Sequence, residues 1–139
     1  MTTQQVEAVM LELRSGVIPQ DLPDETLKTM SLHVRPLPFE RTLAAVRRYV
    51  ATPNLDGRPK FVSSVDELLT ACEIPTKARG LVTLAAYDGG ECWPDLRETS
   101  GWSYVARGAE PPQGVLEYRA VSAGALAEPE RPALPAGGG

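Results

Sequence analysis

Histidine and cysteine are scarce in this chain, with one histidine and two cysteines among 139 residues. Cys72 and Cys92 lie far apart, and no histidine stands at a spacing that would complete a zinc site. His33, on the flank of a predicted apolar helix stripe, would need an uncommon arrangement to serve in a Ser-His-Asp or Cys-His site. The sequence therefore predicts no bound metal, no cofactor and no catalytic residues, and it predicts two buried or half-buried thiols.

Long hydrophobic runs and nucleotide-binding motifs are also missing. No apolar stretch approaches the roughly 20 residues that a membrane-spanning helix needs. The N-terminus, MTTQQVEAVMLELR, lacks the basic start and the apolar block of a signal peptide. The chain contains no GxxxxGK(S/T) loop that would bind nucleotide phosphates. These absences predict a cytoplasmic protein with no membrane partner, and they argue against an ATPase.

The residues that are present are typical of a folded protein, since 42% are hydrophobic and 23% are charged. The net charge of −4 argues against a nucleic-acid coat protein, but the charge is unevenly distributed. Residues 36–60 carry five basic and two acidic side chains, whereas residues 1–35 and 61–139 are both net acidic. One short basic segment therefore stands out.

Apolar residues recur at helical spacing in the first half of the chain. Val6, Val9, Met10 and Leu13 fall at i, i+3, i+4 and i+7, as on one face of a helix. The same periodicity predicts four helices, with glycine and proline at helix ends and Ser64-Val65-Asp66-Glu67 as a capping box. The helices extend from about Thr3 to Ser15, from about Asp21 to Val34, from Phe39 to Ala51, and from Ser64 to just before Pro75.

The second half of the chain is interrupted more often by glycine and proline. We expect a helix from about Pro75 to Tyr87, a short helix over 91–99, a chain turn at Gly101-Trp102 and a last helix over about 115–125. The string AEPERPALPAGGG, which begins at Ala127, predicts a disordered tail rich in proline and glycine.

The fold class that these elements predict is all-α. Leucine, alanine and arginine outweigh β-branched runs throughout, which favours helices over strands. We expect a bundle of about four helices as a core domain over residues 1–75, a looser helical segment over 76–126, and the disordered tail over 127–139.

A basic group lies on the outer face of the third predicted helix and in the loop after it. Such a group can neutralise phosphates, meet an acidic partner surface or face solvent. Only Tyr49 is interleaved with it, so the stacking platform of a single-strand binder is missing. Its members, which we treat as candidate partner-binding residues, are Arg41, Arg47, Arg48, Arg58 and Lys60.

Two leucines stand on the wrong side of their predicted helices. Leu11 points away from the apolar stripe of the first helix, and Leu32 points away from that of the second. Either another layer of this protein covers them, for example its second half, or a partner does. An apolar side chain beside arginines is a plausible contact for a protein partner.

Several short motifs occur in a recognisable order. The turn Leu37-Pro38-Phe39-Glu40 precedes an alanine-rich helix that continues into Arg47 and Arg48, and the step Phe61-Val62-Ser63-Ser64 precedes the acidic pair Asp66-Glu67. Over about the first 75 residues this order resembles the helical core of phage replicative-helicase loader and inhibitor proteins. In the second half, Gly101-Trp102 and Tyr118-Arg119 are similar to a Gly-Trp step and an aromatic-arginine pair of related phage proteins. Met30 and Val62 depart from the pattern, where tryptophan and proline are usual.

The resemblance implies a non-enzymatic adaptor in phage DNA replication, located in the host cytoplasm. Such proteins bind a hexameric DnaB-type replicative helicase, hold back its ATPase and unwinding, and release it at an origin-bound initiator protein. Because family members contact the helicase through a flexible C-terminal part, the resemblance assigns Tyr118, Arg119 and the tail to helicase contact.

Two other functions fit the residues. The second and third predicted helices, joined by Arg35-Pro36-Leu37-Pro38, have the order of a helix-turn-helix. In a DNA-binding regulator of this kind the helix over 39–51 would enter the major groove, and its arginines would meet phosphates or base edges. The prolines in the turn and the net negative charge place this hypothesis second. A structural protein-interaction module is the third hypothesis.

Overall fold

The computed structural model describes residues 1–57, 60–97 and 101–127, and of residues 122–127 it describes the backbone alone. Within these ranges six α-helices, one 3-10 turn and two β-strands follow one another along the chain. They are α1 (Thr3–Gly16), α2 (Asp24–Val34), α3 (Phe39–Ala51), α4 (Val65–Ala71), the 3-10 turn (Thr76–Ala78), α5 (Arg79–Asp88), β1 (Glu91–Asp95), β2 (Gly101–Val105) and α6 (Gln113–Ala127). Apart from Ala127, which ends α6, the predicted tail lies outside the described residues.

The prediction of an all-α fold is wrong, because the chain forms a small antiparallel sheet. Strands β1 and β2 pair with Glu91 opposite Val105 and Asp95 opposite Gly101. The sequence predicts a short helix over 91–99 and a chain turn at Gly101-Trp102 in these positions. The fold is therefore mainly helical with one β-hairpin.

The strand β1 differs from the predicted helix for a physical reason. The spacing of Trp93 and Leu96 suits a helix, but Pro94 has no N–H group to continue one. Cys92 and Pro94 are buried while Trp93 between them is half-buried, as the two-residue repeat of a strand requires. Pro94 is tolerated because every strand of a two-stranded sheet has a free edge.

The three long helices of the first half are confirmed, with small differences at their ends. Helix α1 buries the predicted stripe and packs against α3. Helix α3 begins and ends at the predicted residues. Helix α2 begins at Asp24 instead of Asp21, and its N-cap residue is Pro23, which offers no side-chain cap.

Helix α4 begins at the predicted serine cap. The backbone N–H of Glu67 donates to Ser64 Oγ over 3.2 Å. The reciprocal bond differs from the predicted capping box, because the Glu67 carboxylate accepts from the backbone N–H of Ser63, over 3.1 Å. This bond is the largest cause of the lowered pKa of Glu67, and both serine hydroxyls add to it.

One apolar cluster runs through the molecule from α1 to β1. Its buried members include Leu13 of α1, Val46 of α3, Leu69 of α4, Val82 of α5 and Cys92 of β1. Both strands of the hairpin contact α5, and α6 packs on β1. The hairpin thus joins α6 to the helical body.

Candidate functional site

A pocket of about 380 Å³ opens where four separate stretches of the chain meet. The first residues of the chain, the α2–α3 turn with the start of α3, strand β1 and helix α6 all contribute to it. We call it the aromatic pocket. It is lined mainly by apolar and aromatic side chains with a few charged ones, namely Met1, Gln5, Pro36, Leu37, Pro38, Phe39, Glu40, Arg41, Glu91, Trp93, Tyr118 and Arg119.

Two prolines shape the α2–α3 turn that forms one wall of the aromatic pocket. Pro36 and Pro38 lack the N–H groups that would let α2 continue into α3. The carbonyl of Pro36 accepts a hydrogen bond from the backbone N–H of Cys92 in β1, over 2.8 Å. This bond fastens the hairpin to the turn, and it places Trp93, the next residue, at the pocket.

Aromatic rings and arginines from different elements contact one another around the aromatic pocket. The rings of Trp93 and Tyr118 meet edge to face, with centroids 5.6 Å apart and planes at 61°. The Arg119 guanidinium lies 4.4 Å from the centroid of the Trp93 ring. Arg41 lies 5.8 Å from the ring centroids of both Tyr118 and Trp102. These cation–π contacts hold the rings in position without a ligand, which lowers the entropy cost of binding one.

Arg119 carries the main polar contacts of the pocket. Its guanidinium donates to the Glu91 carboxylate, which also accepts the indole N–H of Trp93 over 3.3 Å. The Nε atom of Arg119, by contrast, is buried and has no hydrogen-bond partner within the described part of the chain. Because an unpaired buried donor costs about 1–3 kcal/mol, this arrangement of Arg119 lowers the stability of the folded chain.

The start of helix α6 is positioned by the end of the hairpin. The Asp95 carboxylate accepts from the Arg97 guanidinium over 2.7 Å and from the Ser103 hydroxyl over 3.1 Å. These bonds, with Arg97 contributing most, hold the pKa of Asp95 well below its usual range. Gly114 of α6 lies so close that a Cβ atom there would come within 2.1 Å of Asp95 Oδ1. The missing side chain at position 114 therefore allows α6 to pack on β1.

Three of the predicted partner-binding residues come together in the aromatic pocket, namely Arg41, Tyr118 and Arg119. Lys60 is separated from them. Its ammonium group lies 4.2 Å from the ring centroid of Tyr49 and donates to the Tyr49 carbonyl over 3.0 Å. The structure thus divides the predicted basic group, although its members are close in sequence.

Two further members of the predicted basic group are held in ion pairs. Arg47 pairs with Glu12 of α1 over 3.2 Å. Arg48 donates two hydrogen bonds, of 2.8 and 2.9 Å, to the carboxylate of Glu73. Arg58 lies outside the described residues. Helix α3 therefore presents Arg47 and Arg48 with their charge already compensated, by Glu12 of α1 and by Glu73 in the turn after α4.

The two leucines that point away from their predicted stripes line neighbouring grooves, Leu11 between α1 and α2 and Leu32 along α2. Leu11 is 69% exposed, and Leu32 is half-buried. Leu27 and Ser31 line both grooves, so the two grooves are neighbours. Within the described ranges the second half of the chain leaves Leu11 uncovered.

Sequence reasoning missed the pocket roles of Trp93, Glu91 and Phe39. A signal for the hairpin was present. Trp102 and Tyr104 stand two positions apart and Val105 follows, and all three are residue types with high strand propensity. A strand there implies a partner strand nearby, which would have placed Trp93 beside it.

The histidine and the cysteines do not line the aromatic pocket. His33 is buried, its Nδ1 lies 2.9 Å from the Thr29 carbonyl, and its ring meets that of Tyr87 edge to face. Both cysteines are buried, as predicted, and burial raises the pKa of each thiol to about 12. Across the described ranges no group of three or more His, Cys, Asp or Glu residues is arranged to hold a metal ion. None of the helices described is both long enough and apolar enough to span a membrane.

Comparisons of this chain with protein-family models, with curated proteins and with solved structures found no match.

Proposed function

We propose that the protein is a non-catalytic binding module that holds a short segment of a partner protein in the aromatic pocket. The observation that supports this proposal is the convergence of Trp93, Tyr118, Arg41 and Arg119, from three separate elements, around one opening. Aromatic residues and arginine are the residue types most enriched in the energetic centres of protein interfaces. Arg41 and Arg119 supply positively charged donors at the same opening, to which a carbonyl or carboxylate oxygen of a partner can bind.

The partner class in this proposal is a DnaB-type replicative helicase, as the resemblance to phage helicase loaders and inhibitors implies. The protein then inhibits the helicase, loads it, or does both, and an origin-bound initiator protein is a second partner. The aromatic pocket contains Tyr118 and Arg119, which the resemblance assigns to helicase contact, together with Arg41 of the basic group.

The ion pairs of α3 support protein binding over DNA binding. Arg47 and Arg48 each contact a carboxylate outside α3, that of Glu12 in α1 and that of Glu73 after α4. To neutralise DNA phosphates, both arginines would have to leave Glu12 and Glu73, or bring those negative charges close to the DNA backbone. The helix-turn-helix hypothesis therefore stays second.

Binding to the helicase tests the proposal. We expect the protein to co-elute with the helicase and to depress its ATP turnover. The variants Trp93→Ala and Tyr118→Ala should each weaken binding at least about tenfold, because aromatic residues at the centre of an interface contribute 2 kcal/mol or more. Tyr87→Ala is the matched control, since Tyr87 is also aromatic and is 68% exposed but lies outside the pocket lining.

Three results would contradict parts of this proposal. A helicase whose ATP turnover is unaffected by an excess of the protein removes the helicase as partner. If Tyr87→Ala lowers the affinity for the helicase as much as Trp93→Ala does, the aromatic pocket is not the binding site. A salt-sensitive shift of duplex DNA that Arg47→Ala with Arg48→Ala abolishes would favour the DNA-binding regulator.

A further inference from the structure

The residues after Ala127 carry proline at every third position, at Pro129, Pro132 and Pro135. Three residues per turn is the repeat of a polyproline II helix, so prolines with this spacing fall on one side of such a helix. Proline offers no N–H donor, whereas the backbone carbonyls of a polyproline II segment are free to accept hydrogen bonds. Segments of this kind bind grooves that are lined by aromatic side chains.

The aromatic pocket has the chemistry that such a segment requires. Trp93 and Tyr118 provide rings on which proline can pack, and Arg41 and Arg119 provide donors for backbone carbonyls at the same opening. Both the pocket and the segment carry charges of either sign. The pocket has Glu40, Glu91, Arg41 and Arg119, and the segment 128–139 has Glu128, Glu130 and Arg131.

The length of the segment allows it to reach the pocket from the end of its own helix. Helix α6 ends at Ala127, nine residues after Tyr118, which corresponds to about 14 Å along the helix axis. The twelve residues from 128 to 139 span about 37 Å as polyproline II. A segment that reverses direction after Ala127 therefore brings Pro132 and Pro135 to the level of the aromatic pocket. A short covalent connection of this kind gives an effective concentration on the order of millimolar.

We propose that the segment 128–139 occupies the aromatic pocket of its own molecule and that a partner must displace it. The displacement step rests on the proposed function, since it requires the partner to use the same pocket. The docking of the segment does not depend on the partner's identity.

A paramagnetic label at the end of the segment tests the docking in the full chain. Cys72 and Cys92 are buried, so a cysteine introduced by Ala136→Cys can be labelled selectively with a nitroxide. The indole N–H resonance of Trp93 should then lose at least half of its intensity at low protein concentration. The matched control carries the same label together with Pro129→Ala, Pro132→Ala and Pro135→Ala, and it should retain most of that intensity.

The outcomes separate this inference from the proposed function. Equal broadening with and without the three prolines overturns the docking, and so does broadening that appears only between labelled and unlabelled molecules, which would indicate a second copy. Helicase affinity should rise about five- to tenfold in the variant without the prolines. If the segment docks but the variant without the prolines binds the helicase with unchanged affinity, then the partner does not displace the segment and the helicase does not bind in the aromatic pocket. Absence of docking while Trp93→Ala still weakens helicase binding overturns this inference alone.

Discussion

At the scale of single residues, the position of α6 depends on what one glycine lacks. Gly114 packs against Asp95, and a methyl group at this position would overlap the carboxylate. Gly80, near the start of α5, has no neighbouring atom within 4 Å of its missing Cβ. The two glycines therefore form a matched pair for mutation. A side chain at position 114 would clash with Asp95, whereas a side chain at position 80 would meet no neighbour.

We expect Gly114→Ala to lower the free energy of unfolding by about 1–3 kcal/mol, because the added carbon forces α6 away from the hairpin. Gly80→Ala should raise it by up to about 1 kcal/mol, since alanine restricts the unfolded chain and favours helix. Urea titrations of both variants measure these changes. If Gly114→Ala raised the free energy of unfolding as Gly80→Ala does, α6 would not pack as closely on Asp95 as the structure indicates.

The two thiols give a second prediction at this scale. Because burial raises the pKa of Cys72 and Cys92 to about 12, almost no thiolate is present at neutral pH, and neither sulfur is accessible. We expect a disulfide reagent such as Ellman's reagent to react with less than about 0.1 thiol per chain within minutes in native buffer, and with both thiols in strong denaturant. Rapid reaction of one thiol under native conditions would contradict the burial of that cysteine.

At the scale of secondary-structure elements, the β-hairpin depends on one ionised carboxylate. Asp95 closes the end of the hairpin through Arg97 and Ser103, and it lies beside the first turn of α6. Arg97 lies between the two strands, Ser103 lies in β2, and Gly114, which packs on Asp95, lies in α6. Loss of the charge should therefore loosen the hairpin and α6 together.

This arrangement predicts how stability depends on pH. The folded-state pKa of Asp95 is lowered, so its contribution is fully present above the pKa of an unfolded aspartate, about 4, and is lost as the pH falls below that value. Glu67 and Glu73 act in the same direction. We expect Asp95→Asn to reduce the fall in melting temperature between pH 5 and pH 2. Asp21→Asn, at an exposed position, is the control that should leave the fall unchanged.

How far the sequence predicts the elements depends on their length. Helix α3 could be located to the residue, because prolines mark its start and thirteen residues give several turns of periodic pattern. Each strand of the hairpin has five residues, which is too few for its two-residue repeat to outweigh a helical interpretation of Trp93 and Leu96. Periodicity identifies the faces of an element, but it does not identify which faces meet.

At the scale of the whole molecule, the same limit explains what was missed in the candidate site. Arg41, Arg47 and Arg48 share one helix, and the sequence groups them together. The contacts that they make differ, because their neighbours come from distant parts of the chain, such as Tyr118 for Arg41 and Glu73 for Arg48. Nothing in the local sequence of α3 specifies these neighbours, so the pocket could be found only from the fold.

The continuous core predicts a single unfolding transition. Apolar residues from α1 to β1 belong to one cluster, although the sequence predicts a core domain over 1–75 and a looser segment over 76–126. Both tryptophans, Trp93 and Trp102, lie in the hairpin, whereas the far-ultraviolet circular dichroism reports mainly the helices. We expect the two signals to give coincident curves in urea. Tryptophan fluorescence that changes at lower urea would show that the second segment unfolds by itself.

The four stretches that wall the aromatic pocket are distant in sequence, and they adjoin only when the chain is native. A compound that fits between them therefore binds only the folded form. At a concentration a hundred times the compound's dissociation constant, this binding raises the free energy of unfolding by about 2.7 kcal/mol. Peptide libraries can therefore be sorted by the heat resistance that they confer. Peptides that raise the melting temperature of the protein but not that of the Trp93→Ala variant bind in the pocket. Their sequences would show which chemistry the pocket recognises before any partner is isolated.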